Sequence, residues 1–326
     1  MKYKKILFIT GNPTKELNTY LYALTPGCKG VFENFKFFFN EEVNNYDFLV
    51  VFETLPQDIN VNVAKENTIF IAGEATSIKK YNQKFLNQFG HIITCQEKIQ
   101  HNSKFLCSPG HTWFSKKSYD ELISLKDVKK TKLLSIVVSN KTSTKGHRDR
   151  LEFCLKLKEQ LGDDVDLFGR GFNNFEDKWD VIAPYKYSIA IENSIEKHWI
   201  TEKLGDCYTS HTFPFYMGAP NINEYYDPKS YELIDIYDFE ASLEKIKKII
   251  NNNSHYKKHL KYLIEAKDDY LNKYSMLPMI CDFIKNKLKT TQSENIKAFT
   301  IYPEKDNFFK KTKAYIAQIL TRFSRA

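Results

Sequence analysis

Thr201-Glu202-Lys203 is the tripeptide in which the chemistry of this sequence is densest. Threonine is a strong helix N-cap, which would place Glu202 and Lys203 in a first helical turn. Free N–H groups and the positive end of the helix dipole make such a place a natural seat for a phosphate. Lysine adds a mobile point charge suited to a diphosphate leaving group, and the glutamate beside it can accept hydrogen bonds from ribose hydroxyls. The same tripeptide also reads as an ordinary helix start with an acidic first turn, so its surroundings must decide. Eleven residues before Lys203, Glu192-Asn193-Ser194 closes the apolar strand Tyr187–Ile191. Eleven residues after it, Pro214 opens a segment running through Phe215-Tyr216-Met217 to Gly218.

The elements that must position these groups follow from the apolar pattern. Lys5–Thr10, Asp47–Phe52, Asn67–Ala72 and His91–Thr94 are short, continuous apolar runs, as expected of strands buried on both faces in a parallel sheet. The charged stretch Asp127–Lys132 reads as a linker, after which the pattern restarts. Leu133–Ser139, Val165–Phe168, Tyr187–Ile191, Thr212–Tyr216 and Leu233–Ile236 are predicted strands, with helices over Gly146–Leu161 and from Thr201. Beyond Asp238 the chain reads as helical and increasingly basic. Two sets of alternating β and α elements predict two α/β sheet domains facing a cleft, with ligands beyond the carboxyl ends of the strands. The expected division is 1–126, 127–290, and a basic amphipathic tail over 291–326.

Composition sets the outer bounds. The 326 residues carry 48 basic and 40 acidic side chains, a net charge of +8, with 42% hydrophobic and 27% charged residues. No uncharged apolar run approaches the roughly 20 residues a bilayer-spanning helix needs. The start, MKYKKILFITGNP, reads as a first strand rather than a signal peptide. The six cysteines form no CxxC pair, which argues against a disulfide framework or zinc site and for a reducing compartment. Of the net charge, residues 305–326 supply +5, from six basic residues and Asp306, leaving +3 for the rest. Dispersed basic residues with no accompanying motif exclude a nucleic-acid partner.

The stretch YKYSIAIENSIEKHWITEKLGDCYTSHTFPFYMG resembles the donor-binding motif of the family 10 fucosyltransferases. That resemblance implies a GT-B fold of two Rossmann-like α/β domains, GDP-fucose as donor substrate, and α-1,3 or α-1,4 fucosyl linkages as product. It extends to Ser139-Asn140 and Gly146–Phe153, like the family's strand and arginine-led helix, whose arginine binds the donor diphosphate. Arg150 fits that position, since Phe153 and Leu157 follow at three and seven residues, with Arg148 as the alternative. Phe70–Glu74 is similar to the family's strand-Gly-Glu segment, which implies Glu74 as the general base that deprotonates the acceptor. Pro109–Phe114 resembles, more loosely, the family's proline-aromatic segment.

The implied donor site thus comprises Arg150, Glu192, Asn193, Trp199, Thr201, Glu202 and Lys203, with Arg170 of the Gly169-Arg170-Gly171 turn and Lys186 bordering the nucleotide. Trp199 departs from the Tyr of several members. It keeps an aromatic surface and an indole N–H donor, but it leaves transfer of another deoxy-sugar open. No metal and no other cofactor is expected, since Arg150 and Lys203 can balance the diphosphate.

Two further motifs point elsewhere. Thr10–Glu16 (TGNPTKE) resembles the triphosphate-cradling motif of inosine triphosphate pyrophosphatases, which makes nucleoside triphosphate hydrolysis the alternative from another class. The other reading of this turn is a strand-helix corner. Asp164-Val165-Asp166 is a DxD pattern like the metal site of GT-A enzymes, or else a solvated loop. At the carboxyl terminus, Phe308, Phe309, Tyr315, Ile316, Ile319 and Leu320 recur at helical spacing among Lys310, Lys311, Lys313 and Arg322. Such a helix suits an anionic membrane surface or the protein's own core. The expectation is therefore an inverting transferase acting on a galactose- or N-acetylglucosamine-containing glycan, such as a surface polysaccharide or lipopolysaccharide. It would be cytoplasmic and peripheral on the inner face of the cytoplasmic membrane.

Overall fold

A computed structural model of the chain describes residues 3–288 and 298–304. The chain divides into two compact units. The first takes the residues up to Pro109, Ser118–Asp120, and the described residues from Met276 onward; the second takes Gly110–Lys117 and Glu121–Ser275.

The first unit begins with β1 (Lys4–Thr10), α1 (Lys15–Ala23), β2 (Val31–Phe32), β3 (Phe35–Phe39) and β4 (Phe48–Phe52). It continues through β5 (Ile59–Val61), β6 (Thr68–Ala72), α2 (Gln83–Leu86), β7 (His91–Thr94) and β8 (Lys104–Leu106). Seven of these strands form one sheet in the order β2-β3-β1-β4-β6-β7-β8, parallel except at the β2–β3 pair. All five residues of β6 are buried, which is why its sequence is an unbroken apolar run rather than an alternating one. β3 was not expected: Lys36 interrupts FKFFF, but the strand alternates buried and half-buried positions, so a lysine fits its second face.

The helix α3 (Tyr119–Ser124) carries the chain into the second unit. There β9 (Lys132–Val137), α4 (Lys145–Leu161), β10 (Val165–Phe168), β11 (Tyr185–Ile191), α5 (Glu202–Thr209), β12 (Phe213–Met217) and β13 (Glu232–Leu233) follow one another. Their sheet is wholly parallel, in the order β10-β9-β11-β12-β13. The strand order reverses between β9 and β11, and it is beyond the carboxyl ends of strands at such a switch point that α/β sheets bind ligands. α6 (Phe239–Ile250), α7 (His255–Asp269) and a single π-helical turn at Tyr270–Tyr274 complete this unit.

The chain then returns to the first unit with α8 (Met276–Asn286) and β14 (Phe299–Ile301). Two expected boundaries change as a result. Phe283 of α8 packs edge-on against Phe105 and His91, and Lys285 pairs with Glu33 at 2.6 Å, so α8 belongs to the first unit and not to 127–290. Residues 298–304 are not tail either. β14 pairs antiparallel with β5, and Ile301 is fully buried in the first unit's core. Gly110–Lys117 moves to the second unit, because the Phe114 N–H donates to Asp206 at 2.7 Å and the Tyr270 hydroxyl to the His111 carbonyl at 2.8 Å. The expected amphipathic helix over 305–326 lies outside the described residues.

The TGNPTK turn is built as a strand-helix corner. Thr14 caps α1 by accepting from the Leu17 N–H at 3.1 Å, and a Cβ on Gly11 would collide with Thr54 Cγ2 at 2.1 Å. Asp166 of the DxD pattern is a strand residue, not part of a loop. Its carboxylate accepts from the Tyr185 hydroxyl at 2.6 Å and pairs with Lys132 at 3.0 Å.

Candidate functional site

The helix start at Thr201 forms as its sequence requires. The Thr201 side chain accepts from the Lys203 N–H at 3.4 Å, a cap of the kind that stabilises a helix by about 1 kcal/mol. Glu192, at the end of β11, closes this arrangement from below. One of its oxygens accepts from the Thr201 N–H at 2.9 Å, both accept from the Thr201 hydroxyl at 2.8 Å, and one pairs with Lys203 Nζ at 3.1 Å. The Glu192 side chain has no solvent exposure, and Thr201 is buried. Both were expected in the donor site; their buried side chains instead form the mount on which Lys203 is held.

Lys203 also reaches Glu202 at 3.4 Å, and both side chains keep some exposure, 21% and 13%. Burial opposes charge on both groups, yet each stays ionised. Lys203, Lys178 and His111 pull the Glu202 carboxyl far below the usual range. Glu192 and Glu202 together raise the Lys203 ammonium above its ordinary value. Glu202 is thus a permanent acceptor and Lys203 a permanent cation at the first turn of α5.

α4 brings the second cation. Its N-cap, Thr144, accepts from the His147 N–H at 3.2 Å. A Cβ on Gly146 would stand 2.1 Å from the Asn193 carbonyl oxygen. Only glycine lets the start of α4 touch the loop that follows β11, and this contact places Arg150, in the second turn of α4, against the end of β11. Arg150 is buried and donates to the Ile191 carbonyl at 3.4 Å, while its Nε has no hydrogen-bond partner among the described residues. Arg148 is exposed and donates to the Thr142 carbonyl, so the geometry selects Arg150 of the two candidates. His147, between the cations, registers their field. Burial first, then the charges of Arg150, Lys141 and Lys203, hold its imidazole down at about 4.

Asn193 and Trp199 are also brought together, but not as two independent sugar contacts. The Trp199 indole N–H donates to Asn193 Oδ1 at 3.1 Å, and Trp199 is only 2% exposed. The expectation that this N–H remains available to a sugar is therefore corrected. Arg170 lies at the carboxyl end of β10, exposed, with its carbonyl accepting from the Asn140 N–H. Since β9 lies between β10 and β11, the two strand ends are about 10 Å apart. Lys186 is misplaced by the sequence reading. β11 begins at Tyr185, so Lys186 sits at its amino end, roughly 16 Å of strand from Ile191, and cannot border a ligand at the carboxyl end.

Two residues escaped the sequence reading. His111 packs edge-on against Trp199 with ring centroids 5.2 Å apart. Lys178 pairs with buried Asp206 at 2.6 Å, one helical turn beyond Glu202. Both come from segments distant in sequence that nothing local connects to α5. In the first unit, Glu74 follows β6 after Gly73 and is half-buried, as expected for a carboxylate beyond a strand's carboxyl end. The second unit thus gathers a cradle of cations: two helix N-termini, two fixed cations and an ionised carboxylate beside them.

The same stretch is where similarity to known proteins concentrates. Residues 127–300 match the profile of glycosyltransferase family 10 (fucosyltransferase), C-terminal part. Alpha-(1,3)-fucosyltransferase FucT of Helicobacter pylori is 33% identical over 99 residues, 30% of this chain and 18% of that protein. The chain thus matches well under half the length of this curated relative. A crystal structure of an alpha1,3-fucosyltransferase with GDP superposes with a TM-score of 0.51 at 18% identity, over 85% of this chain and 94% of that one. Another, with GDP-fucose, gives 0.50 at 18% identity, over 84% and 93%. These likenesses establish a GT-B type fold. With more than half of its length under the profile, and the cation cradle within that half, the chain belongs to glycosyltransferase family 10, the fucosyltransferases.

Proposed function

We propose that this protein transfers fucose from GDP-fucose to a hydroxyl of a glycan acceptor with inversion at the anomeric carbon. The observation that carries this reading is the convergence of Arg150 and Lys203 at the carboxyl end of β11. Arg150 Nε is buried without a partner among the described residues, which is costly unless an anion satisfies it. A diphosphate offers paired oxygens to a guanidinium and matches a helix N-terminus. Glu202, ionised and partly exposed, is placed to accept from ribose hydroxyls. A fold neighbour holding GDP-fucose supports the choice of donor.

In the reaction, the acceptor oxygen forms a bond to the anomeric carbon as its bond to the β-phosphate oxygen breaks. GDP leaves with the electron pair, and Glu74 takes the acceptor's proton. Arg150 and Lys203 stabilise the charge growing on the diphosphate, more strongly than they stabilise the ground state. The test is GDP release from GDP-fucose across a panel of galactose and N-acetylglucosamine acceptors. Release indifferent to acceptor, or seen only from nucleoside triphosphates, would overturn the reading.

The engagement of Trp199 with Asn193 favours a second donor reading. With its N–H bonded to Asn193 and its ring buried, Trp199 gives the sugar no hydrogen-bond donor, which leaves the site open to other deoxy-sugars attached to GDP. Running the same assay with a series of GDP-sugars decides between them. We also infer that residues 305–326, with a charge of +5, hold the enzyme at an anionic membrane. Deleting them should abolish co-sedimentation with phosphatidylglycerol vesicles; retained binding would refute the assignment.

A further inference from the structure

We propose that Glu53 and Tyr81 are positioning residues for Glu74, fixing the backbone of the Gly73-Glu74 corner so that the base is aimed before substrate arrives. The proposal rests on the reading of Glu74 as the base.

Glu53 ends β4, next to β6 in the sheet. It adopts φ +68, and the Thr54 N–H donates to the Phe52 carbonyl at 2.9 Å around it. A bond from residue i+2 back to i with positive φ between them is a γ-turn of the rare, strained hand. A non-glycine residue keeps such a conformation only when its surroundings over-determine it. Here they do. The Glu53 carboxylate is buried and accepts from both the Gly73 N–H and the Tyr81 hydroxyl. Lys79, also buried, donates to the Glu53 carbonyl at 2.8 Å and pairs with its carboxylate at 3.4 Å.

The hydroxyl of Tyr81 works in both directions. While donating to Glu53 it accepts from the Glu74 N–H at 3.2 Å. Burial first, then the charges of Glu53 and Glu74, push this phenol well above its ordinary range, so it stays a protonated donor. From the other side, Gln96 donates to the Glu74 carbonyl at 2.7 Å and to the Lys79 carbonyl at 2.9 Å. Both polar groups of the Glu74 backbone are therefore gripped, the N–H by half-buried Tyr81 and the carbonyl by buried Gln96. The glycine before it is required, because a Cβ on Gly73 would stand 2.6 Å from Phe52 Cζ. The returning C-terminal segment adds the last member: Glu304 accepts from the Asn82 N–H and lies 3.7 Å from Lys79. A corner with this many buried polar bonds exceeds what a chain reversal needs. It matches what a general base needs, since a misplacement of about 1 Å costs up to 10²-fold in rate.

The test uses the full chain with Tyr81→Phe, Glu53→Gln and Glu74→Gln, measuring kcat, donor KM, GDP affinity and the pH dependence of kcat/KM. Tyr81→Phe should lower kcat about 10- to 100-fold with donor KM and GDP affinity unchanged. Glu53→Gln should do the same and also move the acidic limb of the profile to lower pH. Removing a negative charge and leaving Lys79 both favour the ionised base, and a merely structural role would not produce that shift. Because Glu53→Gln strands a buried lysine and can unfold the unit, Tyr81→Phe, with a melting temperature near that of the parent, carries the kinetic comparison alone if needed. Wild-type kcat in Tyr81→Phe beside an inactive Glu74→Gln would overturn the positioning role and leave the base in place. An active Glu74→Gln would instead remove the base reading, and the positioning role with it.

Discussion

The corner after β6 and the ends of β9 and β11 both lie at carboxyl ends of parallel strands, yet their charges are arranged in opposite ways. Around Glu53 each charged group is answered: Lys79 by Glu53 and Glu304, and the Glu53 carboxylate by Gly73, Tyr81 and Lys79. In the cradle, Lys203 is mounted on Glu192, but Arg150 makes no ion pair among the described residues and keeps an unpartnered Nε. The first arrangement is complete in itself and fixes a geometry. The second is left incomplete in charge and hydrogen bonds, which is how a site built to receive an anion differs from one built to aim a side chain. Substitutions should separate the two: those near β6 should alter turnover, and those near β11 should alter nucleotide affinity.

The largest effect is expected at Glu74. Glu74→Ala should reduce transfer by about 10³-fold, within the range general bases contribute, while GDP affinity by calorimetry stays within a factor of about two. Weakened GDP binding would erase the contrast. Arg150→Ala should come next, lowering kcat/KM and GDP affinity together by roughly 10- to 100-fold, the loss of a charge-assisted pair. Arg150→Lys should recover little of it, because an ammonium cannot fork across two oxygens. A lysine variant with parental affinity would show that only charge matters there.

Gly146 tests how the cradle is assembled rather than what binds in it. Gly146→Ala forces a methyl against the Asn193 carbonyl oxygen, so α4 or the loop after β11 must give way. Overpacking of this kind costs about 1–3 kcal/mol, read as a lower melting temperature. GDP affinity should fall further than the stability loss alone would cause, since Arg150 moves with the helix. A destabilised variant with full affinity would mean that Arg150 reaches the ligand independently of this contact.

What the sequence revealed depended on how local each cause was. The α5 cap was legible at Thr201 because capping is decided within three residues. Arg150 could be preferred over Arg148 because Phe153 and Leu157 follow it at the spacing of the family's pattern. The role of Glu192 was not legible: an acid closing a strand looks the same whether it faces solvent or turns under the next helix. Lys186 does not border the ligand end because it stands at the amino end of β11, the opposite end from Glu192. Glu53 carried no signal at all, since its strained turn is paid for by Lys79, Tyr81 and Gly73, none of them adjacent. β14 was missed for the same kind of reason: its partner, β5, lies about 240 residues away, and three residues are too few to announce a strand.

The smallest expected effect is the most direct probe of the incomplete charge in the cradle. His147 sits at about 4 because burial and the charges of Arg150, Lys141 and Lys203 disfavour its imidazolium. A diphosphate bound between Arg150 and Lys203 brings opposite charge and favours that imidazolium, so GDP should raise the His147 value toward the ordinary 6.5. The shift is measurable from the imidazole resonances titrated by NMR with and without GDP. Linkage gives a second reading of the same cause. A histidine depressed in the folded state binds its proton in the unfolded chain first, so its contribution to stability is full above about 6.5 and is lost as pH falls toward 4. With GDP bound, that loss should shrink, and the protection GDP gives against thermal unfolding should grow between pH 6.5 and 5. An imidazole that ignores GDP would place the anion away from the α4 N-terminus and leave Lys203 as its principal cation.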